Sequence, residues 1–353
     1  MESIAEIFSD VEPIEQDDGP TPVVRIAYSK AFTIIMGYFR RVLVDEEFSK
    51  RSLMLSAEVI DHNAANYTAW QYRRKCIREL HKASSEEERK AAWQEELEYC
   101  SEQCINNMKN YQVWFHRRAC IAALNDATGE LDFVACVLEE DAKNYHAWGH
   151  RQWVLKTFGS WERELAYVDG LLEVDVRNNS AWNQRYFVLK ETADLTSDDL
   201  IASEIAYTLK RIALAPSNQS PWGYVKGLVE PLGYAKFPQL RQAVERLAVM
   251  PSPTSSGTSA AATTAATAEG AESGAAGASE SPPVRRIIPA MALLVDMLLE
   301  SSEAADVARA AAMCDELVML DGIRERYWRW RQSRADPTAT KTPPPAETKI
   351  PKC

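Results

Sequence analysis

The chain has 353 residues, 46% of them hydrophobic, and a net charge of −11 from 40 Lys and Arg against 51 Asp and Glu. That acidic balance disfavours nucleic acid as a partner, although local basic columns remain possible. The start, Met1-Glu2-Ser3-Ile4-Ala5-Glu6, lacks the basic region and apolar core of a signal peptide, and the apolar stretch Ile287 to Leu299 is too short to span a bilayer and holds Asp296; a cytoplasmic protein is expected.

Residues 1–28 are acidic and Pro-containing and read as an irregular lead-in. Helical patterning then fills 29–250, and it repeats. Five times an Asn is followed four residues later by a Trp, at Asn66/Trp70, Asn110/Trp114, Asn144/Trp148, Asn178/Trp182 and Asn218/Trp222, with a further match at Trp328. Seventeen residues before each of the five Trp stands Leu53, Leu97, Leu131, Leu165 or Ile205. Three residues after come Arg73, Arg117, Arg151 and Arg185, a column broken by Val225; seven after come Ile77, Ile121, Leu155, Leu189 and Val229. Apolar residues at 0 and +7 share one face of a helix, and Asn is a good N-cap, so each Asn marks the start of the second helix of a hairpin. The first helix is the stretch before it, as in Leu131, Val134, Ala135 and Leu138. A single hairpin cannot bury its own stripe, so the predicted fold is all-α: a right-handed solenoid of stacked antiparallel helical hairpins forming a crescent. Residues 251–284, nearly all Ala, Ser, Thr, Gly and Glu, read as a disordered insertion, 285–335 as a C-terminal helical repeat, and 336–353, with Pro343-Pro344-Pro345, as a disordered tail.

Seven Cys in a cytoplasmic chain are expected as thiols. Cys100 and Cys104 lie four apart on a helix, a spacing open to two metal ligands, but free Cys packs as a small hydrophobe, and Cys76 and Cys120 fall in a column where other repeats carry Val or Leu. Cys353 is the last residue, so it forms no prenylation box. The sequence shows no His-Glu-x-x-His, no zinc-spaced Cys/His cluster, no Gly-rich nucleotide loop and no nucleophile elbow; no metal site is expected, and catalysis should need a partner. What the chain offers is a basic edge. Lys109, Lys143 and Arg177 each precede a cap Asn, beside helix N-termini that suit an anion; the alternative is a row of solvated charges. His116 and His150 align with Tyr72, Gln184 and Tyr224, a mixture that reads as a satisfied polar or interface position rather than a metal site. The Arg column lies beside the buried face, and Asp141, Asp175 and Asp321, each seven residues before its Trp, are its expected partners.

The Asn-x-x-x-Trp-x-x-Arg unit resembles the prenyltransferase α-subunit repeat. The runs from Lys109 to Arg118, Asp141 to Trp148 and Asp175 to Tyr186, with the lead-in Asp17-Asp18-Gly19-Pro20-Thr21-Pro22-Val23-Val24, are similar to the α subunit shared by protein farnesyltransferase and geranylgeranyltransferase type I. The resemblance implies a chain wrapped around a separate β subunit that carries zinc and most of the substrate pocket. The heterodimer would move farnesyl, or geranylgeranyl with another β subunit, from its magnesium-associated diphosphate to the Cys of a C-terminal Cys-a-a-X box on proteins such as small GTPases. It further implies that Lys109 stabilises the leaving diphosphate, that Tyr111, Tyr145 and His146 line the diphosphate cleft, and that Gln112 binds the carboxylate of the protein substrate. From sequence alone Gln112 reads as an exposed polar residue of a first helical turn. The insertion and the weaker last repeats depart from the family pattern. Two rival readings are the α subunit of the Rab-specific geranylgeranyltransferase and a non-enzymatic scaffold resembling tetratricopeptide proteins. Lys109-Asn110-Tyr111-Gln112 and the Asp-Gly-Pro lead-in favour the first family over the Rab enzyme, and the missing Trp-x-Leu-Gly signature disfavours the scaffold.

Overall fold

The computed structural model describes residues 4–251, 284–301 and 303–334. The expected insertion therefore lies outside the described residues except at its two ends, and the expected tail lies wholly outside them. The chain divides into two compact units, Met1–Arg163 and Glu164–Cys353.

In the first unit a single turn, α1 (Ile4–Ile7), and a longer helix, α2 (Lys30–Val44), precede three hairpins: α3 (Lys50–His62) with α4 (Tyr67–Leu80), α5 (Glu86–Asn106) with α6 (Tyr111–Leu124), and α7 (Glu130–Glu140) with α8 (Tyr145–Phe158). The second helices α4, α6 and α8 pack side by side. The lead-in is clamped to α2, where Arg40 Nε donates to the Ile14 carbonyl at 2.9 Å and Arg41 Nε to that of Glu12 at 2.8 Å. A Cβ at Gly37 would stand 2.9 Å from that of Pro13, so only glycine allows this approach.

The second unit continues the pattern with α9 (Glu164–Val174), α10 (Asn179–Thr192), α11 (Asp198–Leu214) and α12 (Gln219–Val229). It then adds α13 (Pro238–Ala248), α14 (Ile288–Glu300), α15 (Ala304–Leu320) and α16 (Glu325–Ser333) around one apolar core that includes Trp182, Trp222 and Trp328. Two three-residue strands, β1 (Val249–Pro251) and β2 (Val284–Arg286), pair antiparallel with Val249 opposite Arg286. This small ribbon was not legible as alternation in the sequence; it joins the two sides of the long insertion.

Each repeat turn is built from the same two residues. The Asn side-chain oxygen accepts from first-turn N–H groups, as Asn144 does from His146 and Ala147 at 3.0 and 3.1 Å. The buried Trp indole donates to the carbonyl six residues earlier, on Ala64, Met108, Ala142, Val176 and Pro216, at 2.8 to 3.0 Å. A buried indole N–H needs such a partner, so the Trp anchors the connecting turn as well as the core.

The Arg column is buried and paired, but not with the expected aspartates. Arg73 holds Glu96 through Nε and Nη2 at 2.6 and 2.7 Å, Arg117 holds Glu130 at 2.6 and 2.7 Å, and Arg185 holds Glu204 at 2.8 and 2.6 Å. Each Glu comes from the first helix of the following repeat and meets a further residue of that repeat: His116 Nε2 at 2.6 Å from Glu96, His150 Nε2 at 2.6 Å from Glu130, and the Tyr224 hydroxyl at 2.6 Å from Glu204. The guanidinium carbons of Arg73, Arg117 and Arg185 lie 4.1, 3.4 and 3.6 Å from the ring centroids of Tyr99, Phe133 and Tyr207, three residues beyond each Glu. The aspartates instead serve their own turns: Asp141 and Asp175 accept the N–H of Lys143 and Arg177, and Asp321 accepts the Trp328 indole N–H. Their short side chains reach local donors in the turn more readily than a neighbouring repeat.

This lattice makes stability depend on pH. Arg74 Nη1 donates to Nδ1 of His116 at 3.1 Å, which leaves Nε2–H of a neutral ring to donate to Glu96. Burial pushes His116 and His150 below the ordinary 6.5, against the pull of their glutamates, with Arg73 and Arg74 adding to the effect at His116 and Arg117 and Arg118 at His150. Below pH 6.5 the unfolded chain therefore binds protons that the folded chain does not, and stability falls until the folded values are reached. Burial would raise Glu96 and Glu130, but hydrogen bonds from His and Arg outweigh it and hold both below 4.5, adding a second loss at lower pH. Gln184 occupies the same column as the two histidines and donates to Glu164 at 2.8 Å without titrating. We therefore predict that His150→Gln flattens the decline in Tm between pH 7 and pH 5; an unchanged slope in thermal melts would exclude His150 as a contributor.

Candidate functional site

All five residues singled out by the sequence lie where α6 and α8 begin. Lys109 precedes the cap of α6, in a turn held from two sides through the residue before it. The preceding Met108 carbonyl accepts both the Trp114 indole at 2.8 Å and the Asn144 amide at 3.1 Å. Asn144 thus caps α8 with its oxygen and ties α8 to the neighbouring turn with its nitrogen.

His146 is the hinge of the cluster. The Tyr111 ring meets it edge-on with centroids 4.2 Å apart, and Tyr145 lies 5.6 Å from it. Burial lowers its pKa below 6.5, the Lys109 backbone opposing, so at neutral pH the imidazole is a neutral hydrogen-bonding group. Tyr111 and Tyr145 are 68% and 74% exposed, and Tyr67 in the matching position of α4 is 68% exposed, so these rings face outward in a row instead of filling the core. Gln112 shares the first turn of α6, half-buried, with its N–H donating to Asn110 at 2.9 Å.

The Lys109 ammonium is 3.2 Å from Oδ2 of Asp141, with the lysine side chain 78% exposed. This contact spans 32 positions and was not foreseen, because Asp141 read as a partner of the Arg column. The assembled group presents one exposed cation, two phenol hydroxyls, one imidazole and two helix N-termini on an open surface. It is suited to an anion with several acceptor oxygens. Cys100 and Cys104 are both buried, and Cys100 Sγ faces the Val113 carbonyl at 3.7 Å. Among the described residues no three His, Cys, Asp or Glu side chains converge in a way that would hold a metal ion.

The geometry defines a helical-hairpin repeat protein with polar and aromatic side chains gathered at successive helix starts. Residues 49–80, 93–124, 128–158 and 161–192 match the family described as Protein prenyltransferase alpha subunit repeat. A stretch of 73 residues is 53% identical to the protein farnesyltransferase/geranylgeranyltransferase type-1 subunit alpha of Pisum sativum, covering 21% of this chain and 22% of that one. A stretch of 66 residues is 39% identical to the protein of the same name in Schizosaccharomyces pombe, covering 19% and 22%. The matched stretch thus spans about a fifth of the length of these relatives. Among solved structures, a chain of Candida albicans protein geranylgeranyltransferase-I complexed with GGPP superposes with a TM-score of 0.73 at 24% identity, over 93% of this chain and 98% of that one, which establishes the shared fold.

Proposed function

We propose that this chain is the α subunit of a heterodimeric protein prenyltransferase of the farnesyltransferase and geranylgeranyltransferase type I kind, acting in the cytoplasm on proteins that end in a Cys-a-a-X box. The observation that carries the reading is the convergence of Lys109, Tyr111, Tyr145 and His146 on two adjacent helix starts. In the transfer, the bond from the isoprenoid carbon to the diphosphate breaks with its electron pair going to the diphosphate oxygen, while the substrate thiolate forms the new S–C bond. Negative charge accumulates on the departing group, and a cation already beside it favours the transition state over the ground state. Lys109 fills that role without moving a proton; Tyr111, Tyr145 and His146 donate to diphosphate oxygens, and Gln112 donates to the carboxylate of the protein substrate. The β subunit would carry the zinc ion, which would favour the deprotonated form of the substrate thiol, and magnesium would accompany the diphosphate.

The surface supports a large partner. Tyr67, Tyr111 and Tyr145 form an outward aromatic row, and Val23, Val24 and Ile26 of the lead-in are 99%, 81% and 69% exposed, more apolar side chain than a free surface usually keeps in one place. Among the described residues no helix is long and apolar enough to cross a membrane. The isolated chain is expected to transfer no prenyl group and to bind no stoichiometric zinc, whereas the chain co-expressed with its β subunit does both; robust transfer by the purified single chain, or a stable chain that recruits no β subunit, would overturn the reading. The β subunit would set isoprenoid length.

A further inference from the structure

We propose that Asp141 is a positioning residue for Lys109, holding the ammonium at the diphosphate site until the diphosphate displaces its carboxylate; this rests on the prenyl-transfer reading above. Oδ2 of Asp141 stands 3.2 Å from Lys109 Nζ. Oδ1 accepts the Lys143 N–H at 3.1 Å, and the Asp141 carbonyl accepts the Asn144 N–H at 2.9 Å. The carboxylate is therefore tied into the turn that starts α8, and a long, exposed lysine is confined by a group that cannot follow it away.

The repeats themselves separate the two tasks of this residue. Asn63 occupies the same position, seven residues before its Trp, and its Oδ1 accepts the Ala65 N–H at 3.1 Å, two residues on, as Asp141 does from Lys143. A neutral amide is thus sufficient for the turn, and Asn107 fills the position in the repeat that carries Lys109. The charge at 141 has another purpose. It is not stability, because the Lys109 side chain is 78% and the Asp141 side chain 29% exposed, and such pairs contribute little to folding. A single carboxylate attracts the lysine enough to restrict it, yet a diphosphate carrying more charge on more oxygens outcompetes it as the leaving-group bond breaks. The ammonium then has a short and directed path to the reacting group, the condition under which positioning accelerates a reaction.

The test is a double-mutant cycle on the reconstituted heterodimer, with Asp141→Asn, Lys109→Ala and both together, read by single-turnover prenyl transfer, isoprenoid diphosphate binding and thermal melting. Asp141→Asn is expected to slow transfer by about tenfold, to leave diphosphate affinity unchanged or tighter, and to leave Tm unchanged; in the Lys109→Ala background it is expected to have no further effect on rate. An unchanged rate for Asp141→Asn beside a slow Lys109→Ala overturns the role of Asp141 alone. An equal loss in both backgrounds overturns it too, because Asp141 would then act through the turn. A Lys109→Ala heterodimer that transfers at the original rate overturns the reading beneath it.

Discussion

Lys109→Ala is expected to lower the single-turnover rate of prenyl transfer by about a hundredfold to a thousandfold while leaving isoprenoid diphosphate affinity comparatively intact. Removing one preorganised group aimed at developing charge typically costs about 2.7 to 4 kcal/mol of transition-state stabilisation. The ground state loses less, because the ammonium is then engaged with Asp141 at 3.2 Å and the resting diphosphate has the tyrosine hydroxyls, the imidazole and two helix N-termini to meet it. Folding should be untouched, since the side chain is 78% exposed. Lys143→Ala is the control, one repeat along in the same column. A loss seen only in binding, or an equal loss in the control, would return Lys109 to the status of a surface charge.

Glu130→Ala is expected to destabilise the chain by about 3 to 5 kcal/mol, the cost of removing one partner from a buried ion pair. Arg117 and His150 would both lose the carboxylate they share at 2.6 to 2.7 Å, in an interior where the Glu130 side chain is 2% exposed and that of Arg117 3%. For a unit of this size that amounts to roughly 10 °C in Tm. The contrast with Asp141→Asn, a carboxylate at the surface whose side chain is 29% exposed and for which no thermal effect is expected, makes the comparison specific to burial. A shift of only a degree or two in calorimetry would show that the lattice is dispensable for folding.

The hairpin architecture was legible because Asn and Trp do local work. A cap and an indole that bonds six residues back recur wherever the turn recurs, so spacing alone exposes them. The lattice was missed by one residue. The sequence drew attention to Leu53, Leu97, Leu131 and Leu165, which prove only partly buried, whereas Glu96, Glu130, Glu164 and Glu204, immediately before Leu97, Leu131, Leu165 and Ile205, lie within the core. Apolar residues are expected inside and glutamates outside, and that expectation hid the regular acidic column. Its signal was present: Tyr99, Phe133, Tyr167 and Tyr207 follow those glutamates at a constant three residues, on the same helix face. At the candidate site, Lys109, Tyr111, Tyr145 and His146 were recognisable from their place in first turns and from family resemblance. The Asp141 contact was not, because it joins adjacent repeats through tertiary packing that no local pattern encodes.

The pairing of an Arg in one repeat with a Glu in the next has a direction, as a head-to-tail subunit interface does, and such interfaces propagate into open filaments unless their ends are made different. This chain differs at both ends. Ser52 stands where the first repeat would present its acceptor, and Val225 stands where the fifth would present its guanidinium; both are fully buried. Neither end of this run of five regular repeats offers an unmatched half of the lock to a second copy, and Arg331, three residues after the further Trp328, is already paired with Asp296.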